Sequence, residues 1–282
     1  MRASDILKTI TNQYKADRLN PPAKLNMPGN GFTLKKDHRL VILGGMPGTG
    51  KSAYMSAEAA LKLAGQNVLV FVMTYEMHEN KVVERLLCNG SCTKCDDYDD
   101  YKLSDMEVDS AFDQVAERLE RIFIASPRSV EEVRTYINSK INDPDTSDSQ
   151  DKPQIVIVWD YLQRIPLRSD IDDSRLRIAA NLQAIIDLNH EFDAQSVILS
   201  SLNRKNYDST SMEAFKEAGD IESDCDLAII MRIAEMDDGA RSWVSRKGCG
   251  RIAKVFRYCF PDHRQLFDVT NRQRPRCISK RW

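Results

Sequence analysis

The chain has 282 residues, 42% of them hydrophobic and 29% charged, a balance that excludes disordered and fibrous proteins. Such a length allows one large α/β domain or two small ones, either able to bury a substantial core. Lys and Arg number 40 against 42 Asp and Glu, a formal net charge of -2, so no global field draws the protein to nucleic acid and any such contact is local.

Ser4 to Leu19 carries Ile6, Leu7, Ile10 and Tyr14 at near-helical spacing, with Ser4 or Asp5 as cap, and Pro21-Pro22 stops it. Pro21 to Asp37 is expected to be an unpacked linker, since it is polar and broken by Pro28-Gly-Asn-Gly31. An amphipathic helix tethered in this way must bury its apolar side, either on its own domain or on a neighbouring subunit. The expected division is therefore residues 1–30 as helix and linker, and 31–282 as one domain.

Leu40 to Leu43 is a short branched apolar run, the pattern of a buried strand, and a glycine-rich turn follows it before a helix over Ser52 to Leu63. Gly45-x-x-x-x-Gly50-Lys51-Ser52 matches the phosphate loop, in which backbone N–H groups close around phosphates. Gly45, Met46, Pro47, Gly48, Thr49, Gly50, Lys51, Ser52 and Ala53 are the candidate nucleotide-binding residues. Lys51 supplies a point charge to the β/γ phosphates, the Ser52 hydroxyl a ligand to Mg²⁺, and the helix start unpaired N–H donors. The implied ligands are ATP and Mg²⁺.

Farther along, Asn67 to Thr74 predicts a second buried strand ending at Glu76, and Glu79 to Leu87 a helix. Ser104-Asp-Met-Glu107 has capping-box spacing and opens a helix to about Arg121; Ile122 to Ala125 is a short strand, and Ser129-Val-Glu-Glu132 caps another helix. Ile155 to Trp159 is a third buried strand running into Asp160, Ser174 to Phe192 a helix, and Ser196 to Ser200 a fourth strand. This alternation implies an α/β fold with a mainly parallel central sheet and helices on both faces. From Asp226 the rhythm changes to successive strands, Leu227 to Ile233, Trp243 to Arg246, Ile252 to Cys259 and Gln265 to Val269, read as an antiparallel C-terminal extension at one sheet edge.

Ligands of open α/β sheets bind beyond the carboxyl ends of the strands, which singles out the polar residues there. Asp160 is placed like the acid that holds Mg²⁺ in phosphate-loop ATPases, while Glu76 can orient or deprotonate the water attacking the γ-phosphate. Arg204 or Lys205, and Arg246 or Lys247, are candidates for neutralising phosphate charge.

Taken together, these residues resemble the C-terminal ATPase domain of the hexameric replicative helicases of the DnaB type, within the RecA-like phosphate-loop NTPases. The resemblance rests on the phosphate loop, Phe71-Val-Met-Thr-Tyr-Glu-Met77 with Val83-Glu-Arg-Leu-Leu87, Val158-Trp-Asp-Tyr-Leu-Gln163, Leu199-Ser-Ser-Leu-Asn-Arg204 and Gly219-Asp-Ile-Glu-Ser-Asp-Cys-Asp226, in that order. It implies Glu76 as catalytic base, Asp160 and Ser52 as the Mg²⁺-associated pair, and an arginine finger in trans nearest Arg246. It also implies loops at Arg164 to Asp173 and Arg204 to Lys216 that face a central channel, with Arg164, Arg168, Arg204 and Lys205 following the backbone of single-stranded DNA. Homo-oligomerisation as a hexamer, a replication loader or primase as partner, and helicase activity follow from the same resemblance. An ATPase switch or loader of the RecA, RadA or KaiC kind, which unwinds nothing, is the alternative. Two departures stand out: Ser201 sits where the family usually has a glutamine, and Val244 where it has a lysine.

Seven cysteines and no apolar signal core or membrane-length run give the expectation of a cytoplasmic protein with reduced thiols. Cys88, Cys92 and Cys95 have the spacing of an iron–sulfur site or, with His78, of a zinc site, and the same spacing serves three ordinary thiols in a loop. The basic tail Asn271 to Arg276, with Lys280 and Arg281, is read as a solvated terminus, with a nucleic-acid contact as the alternative.

Overall fold

The computed structural model describes residues 2–19, 24–27, 33–91, 93, 95–143, 153–166, 173–202, 215, 224–233, 253–259 and 267–268. In chain order the elements are α1 (Ala3–Leu19), β1 (Leu25–Asn26), β2 (Thr33–Leu34), β3 (Leu40–Gly45), α2 (Lys51–Ala53), a π-helical segment (Tyr54–Ala59), α3 (Ala60–Ala64) and β4 (Val68–Thr74). They continue as α4 (Glu79–Ser91), α5 (Cys95–Asp99), α6 (Asp105–Asp113), α7 (Ala116–Leu119), β5 (Ile122–Ala125), α8 (Val130–Ile141) and β6 (Gln154–Asp160). A 3₁₀ turn (Leu162–Arg164), α9 (Ser174–Phe192), β7 (Gln195–Ser201), β8 (Leu227–Ile233), β9 (Ala253–Cys259) and β10 (Phe267–Asp268) complete it.

The main sheet runs β10-β9-β8-β3-β7-β6-β4-β5, and from β8 to β5 every neighbouring pair is parallel. The expected mainly parallel sheet is thus present, with one correction. Leu227 to Ile233 belongs to the parallel part, pairing Val41 with Leu227 and Gly45 with Met231, and the antiparallel extension begins only at β9. A strand that fills the second side of β3 cannot be recognised from its own residues, because its apolar pattern is the same for either direction. The expected strand at Trp243 to Arg246 lies outside the described residues.

Alternate residues divide the core between two faces. Leu40, Ile42, Phe71, Met73, Ile155, Ile157 and Trp159 turn to the side of α8 and α9, where Val133, Ile137, Leu182 and Ile185 meet them. Val41, Leu43, Val68, Val70, Val72, Val156 and Val158 turn to the other side, against Met55, Ala57, Ala60 and Leu63. Small side chains on both partners allow the phosphate-loop helix to lie close to the sheet.

Several local expectations change. The unpacked linker fails between Leu25 and Leu34: β1 and β2 pair, and Leu25, Met27 and Leu34 are buried in the valine-side core. Three apolar residues among polar ones carry too little periodicity to announce this. The helix expected from Ser104 to Arg121 is broken into α6 and α7, with Val115 buried at the break against Gly90 of α4. The capping box itself forms, Glu107 accepting from both the Ser104 amide and hydroxyl. Ser129 likewise caps α8, accepting from the Glu132 amide. The cysteine-rich stretch is helical on both sides, in α4 and α5, and Cys95 is disulfide-bonded, against the expectation of reduced thiols throughout, whereas Cys88 is a buried thiol outside any disulfide. Cys92 lies outside the described residues, and among those described no group of three or more His, Cys, Asp or Glu could hold a metal. Among them, too, no helix is long and apolar enough to cross a membrane.

Candidate nucleotide site

The site is built where β3, β6 and β4 end. Gly45 closes β3 in register with Ser201 of β7 and Met231 of β8, so the turn that follows is held by strands on both sides. Within it, Gly48 and Gly50 have φ of 77° and 88°, the left-handed region that costs other L-residues about 1–2 kcal/mol. Gly50 then delivers the chain into α2, putting Lys51 and Ser52 in its first turn. Lys51 Nζ donates to Gly45 O at 2.8 Å and Met46 O at 3.1 Å, lying across the loop. Thr49 is buried and braces the turn by donating to Met46 O at 2.9 Å.

The strand behind the loop is as constrained as the loop. A Cβ on Gly44 would stand 2.4 Å from Phe215 Cε1 and 2.9 Å from Leu202 Cδ2, so the Phe215 ring occupies the space a side chain would need.

Asp160 ends β6 at 1% exposure, and both carboxylate oxygens are engaged. Ser52 Oγ donates to Oδ1 at 3.0 Å and Ser56 Oγ to Oδ2 at 3.2 Å. Burial pushes the Asp160 carboxyl above its ordinary range; the two hydroxyls and the Lys51 charge pull it back, and Glu76 adds to the rise. Lys51 is lowered by burial, an effect opposed by Asp160 and Glu76. Both carboxylates therefore act on Lys51 across the loop, and Lys51 and Glu76 act on Asp160.

Glu76 is placed by the neighbouring strand. β4 pairs with β6 so that Thr74 stands opposite Asp160, and the Tyr75 amide extends the ladder by donating to Asp160 O at 2.9 Å. Thr74 Oγ1 then donates to Met77 O at 2.8 Å, turning the chain so that Glu76 is exposed beyond the strand end. The peptide between Asp160 and Tyr161 is cis.

Of the residues expected to follow DNA, Arg164 is exposed at the end of the 3₁₀ turn, and its Nε donates to the Tyr161 hydroxyl at 3.3 Å. Arg168, Arg204, Lys205 and the arginine-finger candidate Arg246 lie outside the described residues. Two residues of the site carried no role in the sequence reading. Gln163 ties the 3₁₀ turn after β6 to β7: its Oε1 accepts from the Ser201 amide at 3.3 Å and its Nε2 donates to Ser200 Oγ at 3.1 Å, so a glutamine amide does reach the strand end where Ser201 departs from the family pattern. Ser56 is the other. Its signal was a lone hydroxyl four residues after Ser52, on a face otherwise made of Met and Ala. Asp226 is structural, its Oδ2 accepting from the Leu40 amide at 2.8 Å at the start of β3.

The donor set suits Mg²⁺: a serine hydroxyl and a carboxylate, hard oxygens side by side beneath the phosphate loop. Comparison with known proteins identifies the family. The chain is 26% identical over 198 residues to a probable plasmid replicative DNA helicase of Chlamydia psittaci, a match that covers 68% of this chain and 42% of that protein. Its fold is similar to that of a solved ATPase domain, with a TM-score of 0.68 at 15% identity over 94% of this chain and 98% of the other. It is also similar to a DnaB-like replicative helicase solved in a study of its interactions with primase, with a TM-score of 0.65 at 14% identity over 93% of this chain and 65% of that one. The DnaB-like helicase C-terminal domain family matches residues 24–255, which carry the phosphate loop, Glu76 and Asp160, and the chain belongs to that family.

Proposed function

We propose that this domain is an ATP-hydrolysing motor that assembles as a ring of six, translocates on single-stranded DNA and unwinds duplex. The observation that supports it best is that Lys51 after β3, Asp160 at the end of β6 and Glu76 after β4 gather at the carboxyl ends of one sheet's strands, with both carboxylates near enough to act on the Lys51 charge. In this reading Lys51 exchanges the carbonyls of Gly45 and Met46 for phosphate oxygens. Ser52 and Asp160 would hold Mg²⁺, which when bound would neutralise charge on the phosphates. Glu76, exposed to solvent, takes a proton from the attacking water or orients it.

Helix α1 supports the ring. Its Leu7, Ile10 and Tyr14 are 65%, 59% and 68% exposed, an apolar stripe that a neighbouring copy would cover. Arg246 of such a neighbour would complete the site as a finger in trans, and Arg164, Arg168, Arg204 and Lys205 would line the channel. A loader or primase would act on the assembled ring.

Mass measurement with ATP and a short single-stranded oligonucleotide tests the assembly, and strand displacement on a forked duplex tests the unwinding. A hexamer that captures the oligonucleotide and opens the fork is expected; a protein that stays monomeric with both ligands refutes the ring. A second reading, an ATPase switch that binds DNA or a protein without unwinding, is favoured by Ser201 at the end of β7. DNA-stimulated hydrolysis with no strand displacement would select it.

A further inference from the structure

Ser56 is buried to 1% exposure in the π-helical segment, one turn beyond Ser52 and on the same face. A serine inside a helix commonly turns its proton to the carbonyl four residues back. Ser56 instead directs its proton at Asp160 Oδ2, 3.2 Å away. A carboxylate held at one oxygen still rotates about its last torsion, which is broad and two-fold, whereas one held at both oxygens has its plane fixed. Ser52 can keep donating to Oδ1 while its lone pairs face a cation, since a hydroxyl has one proton and two acceptor sites. Ser56 has no such second duty.

We propose that Ser56 is a positioning residue for the Mg²⁺ site: by donating to Oδ2 from the dry side, it locks the carboxylate of Asp160 so that Oδ1 and the Ser52 hydroxyl present one oriented oxygen pair. The inference rests on the nucleotide-site reading above. Loss of a partner that orients a metal ligand typically weakens metal affinity about 10–100-fold.

Mn²⁺ titrated into the full chain with a non-hydrolysable ATP analogue, the free ion read by electron paramagnetic resonance, tests it without turnover. Ser56→Ala is expected to raise the Mn²⁺ midpoint about tenfold or more, with analogue binding in the absence of the ion unchanged. Ser56→Thr, which keeps the hydroxyl, should stay near the wild-type midpoint. Should the alanine variant fail to fold, Ser56→Cys, similar in volume and a weak donor, carries the same expectation. A folded Ser56→Ala protein titrating within twofold of wild type overturns the assignment. Wild-type protein that binds the analogue neither with nor without the ion would overturn the nucleotide site itself, a distinguishable result.

Discussion

Helix α1 and the helical run over 51–64 have similar lengths and opposite fates. The second buries Met55, Ala57, Ala59, Ala60, Leu61 and Leu63 against the valine face of the sheet, while α1 leaves Ile6, Leu7, Ile10 and Tyr14 exposed. Both satisfy the spacing rule for an amphipathic helix, and among the described residues only the second has a covering surface. Periodicity therefore tells which side of a helix is apolar and not whose surface will meet it. On the proposed ring, the phosphate loop, Glu76 and Asp160 come from one copy, while the cover for α1 and the arginine finger come from another.

The sharpest way to break that contrast is at the site. Glu76→Ala should lower ATP turnover about 10²–10⁴-fold while leaving nucleotide binding intact, measured by phosphate release and fluorescent-nucleotide titration. Loss of binding together with turnover would mean that Glu76 shapes the loop instead. Next in size is the α1 stripe. Leu7→Asp with Ile10→Asp should raise the concentration for half-assembly roughly 10²-fold or more by sedimentation, since each buried side chain of this size is worth about 1.5–3 kcal/mol. Melting temperature and nucleotide affinity of the dilute protein should not move; if they do, α1 belongs to its own domain.

Gly44→Ala probes the rigid side of the comparison. Its Cβ meets the Phe215 ring, so about 1–3 kcal/mol of stability should be lost, visible as a lower denaturation midpoint. The smallest effect concerns the α6 cap, remote from both regions. The backbone and side-chain hydrogen bonds from Ser104 hold the Glu107 carboxyl below its ordinary value. Its stabilisation is therefore full above the ordinary glutamate range and disappears as pH falls through the lowered value. Glu107→Gln should melt slightly below wild type at neutral pH and coincide with it in acid.

Much of this was legible in advance because it is local. The phosphate loop, the caps at Ser104 and Ser129 and the helix Ser174–Phe192 are written in neighbouring residues. Glu76 and Asp160 could be placed at strand ends because runs such as Val68–Thr74 are apolar throughout and stop abruptly. What escaped depends on distant partners: the burial of Leu25 and Leu34, the parallel pairing of β8, and the role of Ser56, whose meaning lies in an aspartate more than a hundred residues away. Gln163 escaped for the same reason, its partners being in β7.

The position of β8 has a consequence for how the chain comes into being. Because β3 is flanked by β7 and β8, the strand that carries the nucleotide loop stays open along one side until Leu227–Ile233 has been synthesised. A ribosome must therefore release more than two hundred residues before that edge is sealed, and contacts so far apart along the chain form slowly. Until then Leu43 and its neighbours offer nascent chains a place to pair with one another, so expression yield should improve when translation of the second half is fast relative to encounter between polysomes.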